Sequence, residues 1–213
     1  AANLVIGDTN QVQDVFVRDL QTATTIRASE SGNQDSYLPA ISTDGRYVAF
    51  ASHSYDLVAG DTNRAADVFV RDLQTGVSTL VSVNSSGTGQ GNKDSYSPVI
   101  GTGGRYVMFR SKATNLAAGS FSGTENLFVR DLQAGTTYVL TTAGLCCAAM
   151  TPDGSFVAFV DMVGTSSGKL YVWASASATK VYTNNTGGMS MVAISPDGNR
   201  LAYRAGLSSP QLY

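Results

Sequence analysis

Gly60–Leu73, GDTNRAADVFVRDL, repeats an earlier stretch of the same chain, Gly7–Leu20, GDTNQVQDVFVRDL. A third version, Gly119–Leu132, reads GSFSGTENLFVRDL; a fourth is worn down to Gly168–Ala174, GKLYVWA. The last three residues, Gln211-Leu212-Tyr213, look like the start of a fifth. The equivalent positions Asp14, Asp67, Asn126, Lys169 and Gln211 therefore recur at intervals of several tens of residues. Recurrence at that period marks an array of supersecondary units, each burying its apolar faces against its neighbours.

Each unit carries four kinds of segment. An apolar run leads to a turn: Leu38–Ser42 before Asp44-Gly45, Ser97–Ile100 before Gly103-Gly104, Ala148–Met150 before Asp153-Gly154, Val192–Ile194 before Asp197-Gly198. Asp-Gly between two β-rich runs signals a hairpin, because glycine accepts positive φ without steric penalty. A second run follows each turn: RYVAFA (Arg46–Ala51), RYVMFR (Arg105–Arg110), SFVAFV (Ser155–Val160) and RLAYR (Arg200–Arg204). The DVFVRDL type comes third, and Thr24–Ala28, Ser78–Val83, Thr136–Leu140 and Thr179–Tyr182 come fourth. All are short, rich in Val, Tyr, Phe, Ile and Thr, and bounded by turn residues. None carries helical periodicity, so the chain reads as all-β with four strands per unit. Val15 and Val17 alternate with Phe16, which suits a sheet buried on both faces. The longer first two intervals hold polar insertions at Ser29–Ser36 and Asn84–Ser95.

The run Pro-x-Ile-Ser-x-Asp-Gly-Arg-Tyr-Val-Ala-Phe, followed by Asp-Val-Phe-Val-Arg-Asp-Leu, resembles the TolB-type, PD40 (WD40-like) β-propeller repeat. The resemblance covers nearly the whole chain, with the Pro-Asp-Gly turns at Pro152 and Pro196 as its most specific residues. The second unit departs from it, with Thr102-Gly103-Gly104 in place of Asp-Gly, and the fourth has Trp173-Ala174-Ser175 for Arg-Asp-Leu. It implies an all-β propeller of four-stranded antiparallel blades, about four in this chain, forming a single domain. The blades would run about 37–84, 96–141, 146–183, and 190–213 completed by 14–28, the last shared by the two ends of the chain. Four blades are few for this family. The alternatives are a small closed ring, a segment of a larger ring, or ends that pair with another copy.

Composition narrows the function. Of 213 residues 43% are hydrophobic and only 14% charged, with net charge −2. That balance lacks the concentrated Lys/Arg face a nucleic-acid partner requires. No apolar run approaches the roughly 18 residues of a membrane helix. Lysine is scarce (Lys93, Lys112, Lys169, Lys180) and Ser, Thr, Gly and Asn plentiful, while Ala1-Ala2-Asn3 is compatible with a mature terminus after cleavage. An extracellular or periplasmic location is the expectation.

Candidate site residues fall into four groups. Asp8, Asn10 and Asp14, and again Asp61, Asn63 and Asp67, place oxygen side chains at positions 1, 3 and 7 of a loop, a spacing that suits calcium. The alternative is a loop whose Asp and Asn side chains bond their own backbone; in the third copy Ser120, Ser122 and Asn126 have lost the carboxylates. Tyr37 and Tyr96 occupy equivalent places just before an innermost strand, near one mouth of the channel, as candidates for stacking on a ligand. Arg18-Asp19, Arg71-Asp72 and Arg130-Asp131 recur as structural ion pairs or turn contacts. Cys146 and Cys147 are adjacent; successive strand side chains point to opposite faces, which makes a shared metal or a disulfide awkward, so two small buried residues are expected.

No catalytic constellation emerges. The sole histidine, His53, has Ser52, Ser54 and Asp56 as sequence neighbours on a strand end, where a triad cannot converge. Gly164–Gly168 matches G-x-S-x-G but lies between two strands, without the strand-to-helix elbow that motif requires. The sequence reading is a non-enzymatic interaction or structural module presenting blade loops to a protein or glycan. Self-assembly through shared end strands, and an accessory propeller of a hydrolase, are the alternatives.

Overall fold

The computed structural model describes residues 4–119, 124–142, 144–162, 168–185 and 188–206. Three complete blades follow one another as four-stranded antiparallel sheets. The first is β3 (Ser36–Ile41), β4 (Tyr47–Ser52), β5 (Asp67–Asp72) and β6 (Val77–Leu80). The second is β7 (Ser95–Ile100), β8 (Tyr106–Ser111), β9 (Asn126–Asp131) and β10 (Thr136–Val139). The third is β11 (Leu145–Met150), β12 (Phe156–Met162), β13 (Gly168–Ala174) and β14 (Thr179–Asn184). Two-stranded sheets flank them: β1 (Phe16–Asp19) with β2 (Thr24–Arg27), and β15 (Met189–Ile194) with β16 (Leu201–Ala205). Among the described residues a single 3-10 turn, Thr102–Gly104, accompanies these strands.

Alternation along each strand explains the stacking. On β5, Val68 and Val70 enter the cluster shared with Val107, Phe109 and Phe128 of the second blade. Phe69 between them points the other way, joining Val48 and Phe50 against Val15 and Ala28 of the first hairpin. The second and third blades meet through Met108, Leu127 and Val129 against Val157, Phe159 and Trp173. The third blade meets the last hairpin through Val160 and Leu170 against Met189, Val192 and Leu201. Both faces of every complete blade are therefore buried, which is why the middle strands read as unbroken apolar runs. Within each complete blade one aromatic pair sits directly across the two middle strands. These are Phe50–Phe69 at 6.0 Å between ring centroids, Phe109–Phe128 at 5.6 Å and Phe159–Tyr171 at 5.4 Å.

The short turns between first and second strands lie at one end of the blades. The hydroxyls of Ser42, Thr151 and Ser195 accept the backbone N–H of Tyr47, Phe156 and Arg200 and donate to Asp44, Asp153 and Asp197. Glycines at positive φ close the turns. Three of them meet a second demand: a Cβ on Gly104, Gly154 or Gly198 would stand 2.7, 2.8 or 2.4 Å from the ring of Tyr47, Tyr106 or Phe156 in the preceding blade. Direct bonds stitch the same end, Thr43 Oγ1 to Thr102 Oγ1 at 2.8 Å and Thr102 N–H to the Pro152 carbonyl at 2.6 Å. Thr102-Gly103-Gly104 still closes its hairpin, with Gly101 N–H bonded to the Tyr106 carbonyl.

One expectation changes. Among the described residues the two end hairpins are separate sheets, so β1–β2 and β15–β16 do not share a blade. Each satisfies its apolar face against the blade next to it in sequence, at opposite ends of the row. Local packing is met without closure. Gln211–Tyr213 lie outside the described residues.

Candidate ligand-binding face

The longer connections, 28–35, 53–66 and 81–94, gather at the end of the blades opposite the stitched turns. Both Asp-x-Asn-x-x-x-Asp loops lie there. In the second, Asn63 Oδ1 accepts the N–H of Ala65, and its amide nitrogen donates to the Asp67 carboxylate at 2.8 Å and the Gly91 carbonyl at 2.7 Å. The other Asp67 oxygen accepts from Ser82, and Asp61 takes a bond from Gln90. In the first, Asn10 bonds Val12, Asp14 and Gly32 in the same way, Ser29 donates to Asp14, and Arg27 reaches Asp8 at 3.0 Å and Asp14 at 3.5 Å. These bonds fix the orientation of each amide: its nitrogen, a donor, faces the carboxylate, where a calcium site needs an oxygen. Among the described residues no three His, Cys, Asp or Glu side chains converge on a metal position. The six residues form two latches that pin the entry to β1 and β5. Ser120 and Ser122 of the third copy lie outside the described residues.

The second latch is charged with consequence, because Asp67 is fully buried. Burial raises its carboxyl to about 7, against the lowering effect of Ser82 and Asn63, with Asp61 and Asp94 adding to the rise. Burial also raises Asp61.

Tyr37 and Tyr96 sit at matching positions on adjacent innermost strands, opposite Ala51 and Arg110. The Tyr37 hydroxyl is 3.3 Å from His53 Nε2, with the rings 5.8 Å apart. Tyr96 donates to Glu125, whose other oxygen takes Arg110 at 2.6 Å. Burial, then Glu125, pushes the Tyr96 phenol up to about 12, so it stays a donor at neutral pH. Burial also raises Tyr37. His53, the partner of Tyr37, also lines an open cleft of about 750 Å3 with Gln34, Tyr55, Asp61, Thr62 and Arg64. Arg110 and Glu125 escaped the sequence reading, although an arginine ending the apolar run RYVMFR was a legible signal. Tyr47, Tyr106 and Trp173 instead pack at the turn end or in the core and present no stacking surface at this face.

The recurring Arg-Asp dipeptides do not pair internally. Asp72 holds Arg46 through two bonds of 3.0 and 2.7 Å, and Asp131 holds Arg105 likewise. The Arg46 bond is the main cause holding the Asp72 carboxyl far below the usual range. Arg18, Arg71 and Arg130 reach across to Thr25, Ser78 and Thr137. Around His53 the hydroxyls are engaged elsewhere, Ser52 with Ser36 and Ser54 with the Gln34 carbonyl. Residues 163–167 of the G-x-S-x-G match lie outside the described residues.

No family model and no curated protein matches the chain. Solved structures do. TolB from Acinetobacter baumannii is 19% identical with TM-score 0.52, the match covering 92% of this chain and 43% of TolB. The tricorn protease is 13% identical with TM-score 0.62, covering 89% of this chain and 17% of that one. The Cps50 (Swd1) β-propeller domain of Myceliophteria thermophila is 15% identical with TM-score 0.52, covering 90% and 56%. The chain thus spans less than half the length of TolB. At these identities the likeness shows the fold, a β-propeller of TolB-like and WD40-like kind, and a fold hosts many functions.

Proposed function

We propose that this TolB-like propeller is a non-enzymatic binding module working outside the cytoplasm, whose protein or glycan partner docks on the loop end of the blades. The observation that carries the reading is that Tyr37 and Tyr96, on adjacent innermost strands, are anchored by His53 and by Glu125 with Arg110, and that His53 also lines the cleft with Asp61 and Arg64. Aromatic rings with anchored polar tips, next to charges of both signs, give recognition geometry. A nucleophile–base pair is not part of that arrangement. Among the described residues no helix is long and apolar enough to cross a membrane.

The test compares wild type with Tyr37→Ala/Tyr96→Ala on immobilised glycans and in cross-linking to extracytoplasmic proteins of the producing cell. Gln74→Lys, at the turn end, is the control. Loss of a saturable partner in the double variant, with retention in the control, supports the reading; equal retention by both sinks it.

A second reading, assembly of copies, rests on register. Every complete blade stacks an aromatic pair across its two middle strands, and the half-blades carry Tyr203 on β16 and Phe16 on β1 at the corresponding positions. Tyr203 is 43% exposed. A β16 edge of one copy pairing with β1 of the next would complete a blade and bury both rings. Sedimentation across a hundredfold concentration range checks this. Mass that rises with concentration in wild type and not in Tyr203→Lys supports assembly, and a monomer throughout refutes it.

A further inference from the structure

Cys146 and Cys147 overturn the expectation drawn from strand alternation. Both pack against the cluster of Val160, Leu170 and Met189, while their neighbours Leu145 and Ala148 pack on the opposite face of β11. The ladder explains it: Leu145 pairs with Asp161 and Cys147 with Val160, leaving Cys146 as the extra residue of a bulge. A bulge re-aims side chains and breaks the period of two. Gly144, immediately before, has φ +125°. β15, which carries Met189 and Met191, packs against β11 beside the two thiols. Both cysteines are half-buried and so open to small reagents.

Two methionines, Met189 and Met191, lie on β15, the strand that packs beside β11. Met189, 3% exposed, belongs to the same cluster as both thiols. Met191, two residues along β15, holds φ +67° and is 65% exposed.

This donor set discriminates between metals. Zinc in a structural site takes four Cys, His, Asp or Glu ligands. No third such side chain joins the pair among the described residues. Hard cations take oxygen ligands, whereas the two thiols pack among Val160, Leu170 and Met189. A soft monovalent ion is satisfied by thiolate and thioether sulfur in low coordination number. From this geometry we infer that Cys146 and Cys147, with Met189 as third sulfur donor, form a binding site for one soft monovalent metal ion of the Cu(I)/Ag(I) class. Binding forms two metal–thiolate bonds and releases the two thiol protons to water.

The test is anaerobic Cu(I) titration of the protein against a chromophoric Cu(I) chelator, with Zn(II) in parallel. The expected result is one Cu(I) per chain and no zinc, affinity lower by about a hundredfold in Cys146→Ser/Cys147→Ser and by about tenfold in Met189→Leu. A second readout needs no variant: one equivalent of Ag(I) should shield both thiols of the wild type from alkylation. Wild-type uptake no greater than that of the double serine variant, thiols alkylated despite Ag(I), or zinc bound as tightly as copper would each overturn the site. Undiminished affinity in Met189→Leu would overturn the three-sulfur assignment.

Discussion

Asp67→Asn should remove a pH dependence that the wild type cannot avoid. Asp67 is fully buried, its two oxygens taken by Asn63 and Ser82, and its carboxyl is raised from 3.8 to about 7, chiefly by burial. In the unfolded chain the same group ionises near 3.8. Between those values the unfolded state has released its proton and the folded state has kept it, so stability falls as pH rises through that window. The stability is fully present below about pH 4 and lost by about pH 7. A shift of about 3 units corresponds to about 4 kcal/mol. The lowered carboxyls leave the window clear: Asp19, Asp44, Asp72, Asp131, Asp153 and Asp197 all lie below the ordinary value, so their contributions change below pH 3.8. Asp61 and Asp161 are raised but remain in both proteins. Asparagine is tolerated here, because Asn126 holds the equivalent place in the second blade opposite Thr141. Its less favourable hydrogen bonding should cost about 1 kcal/mol at every pH. Urea unfolding at steps from pH 4 to pH 8 then gives a variant less stable than wild type at the acid end and more stable at neutrality. A stability difference that stays flat across that range would refute the account of Asp67 as a carboxyl held protonated by burial.

Gly154→Ala combines a positive φ with a Cβ 2.7 Å from Tyr106, whereas Gly45→Ala meets only the φ penalty, with nothing within 4 Å. Thermal melts should show the first losing about 2–4 kcal/mol and the second about 1; equal losses would remove the interblade contact as a cause. Phe109→Ala empties a fully buried position between blades and should cost about 3–5 kcal/mol by urea denaturation. Asn63→Ala unlatches Asp67 and Gly91 and should cost about 1–3 kcal/mol. In wild type, melting temperatures with calcium and with chelator should coincide, and a chelator-induced drop of several degrees would restore calcium as a ligand of the Asp-Asn-Asp loops.

The architecture was legible because it is written in local terms and repeated. Val68-Phe69-Val70 declares both faces of a strand apolar, and Asp153-Gly154 declares a hairpin, whatever the rest of the chain does. What escaped are relations between units. Nothing in Tyr106 announces that it must lie against Gly154, since that contact joins two blades. Oxygen spacing in Asp61-x-Asn63-x-x-x-Asp67 is the same for a cation loop and for a latch, and the latch partners Gly91, Ser82 and Gln90 come from far along the chain. The cysteine pair was misjudged for a related reason. The rule of alternating side chains holds until a ladder slips, and the slip at Cys146 is set by how β12 pairs, not by residues 146 and 147.

The rings of Tyr47, Tyr106 and Phe156 lying on bare glycine backbone divide the molecule into a clamped rim and an extensible one. At the clamped rim one added carbon forces neighbouring sheets apart, so nothing can be spliced in without resetting the stack. At the other rim, connections such as 53–66 and 81–94 already differ in length from unit to unit over an unchanged interior. New loops grafted there should leave the scaffold standing, which makes that rim the place where this architecture can acquire a new specificity without refolding its blades.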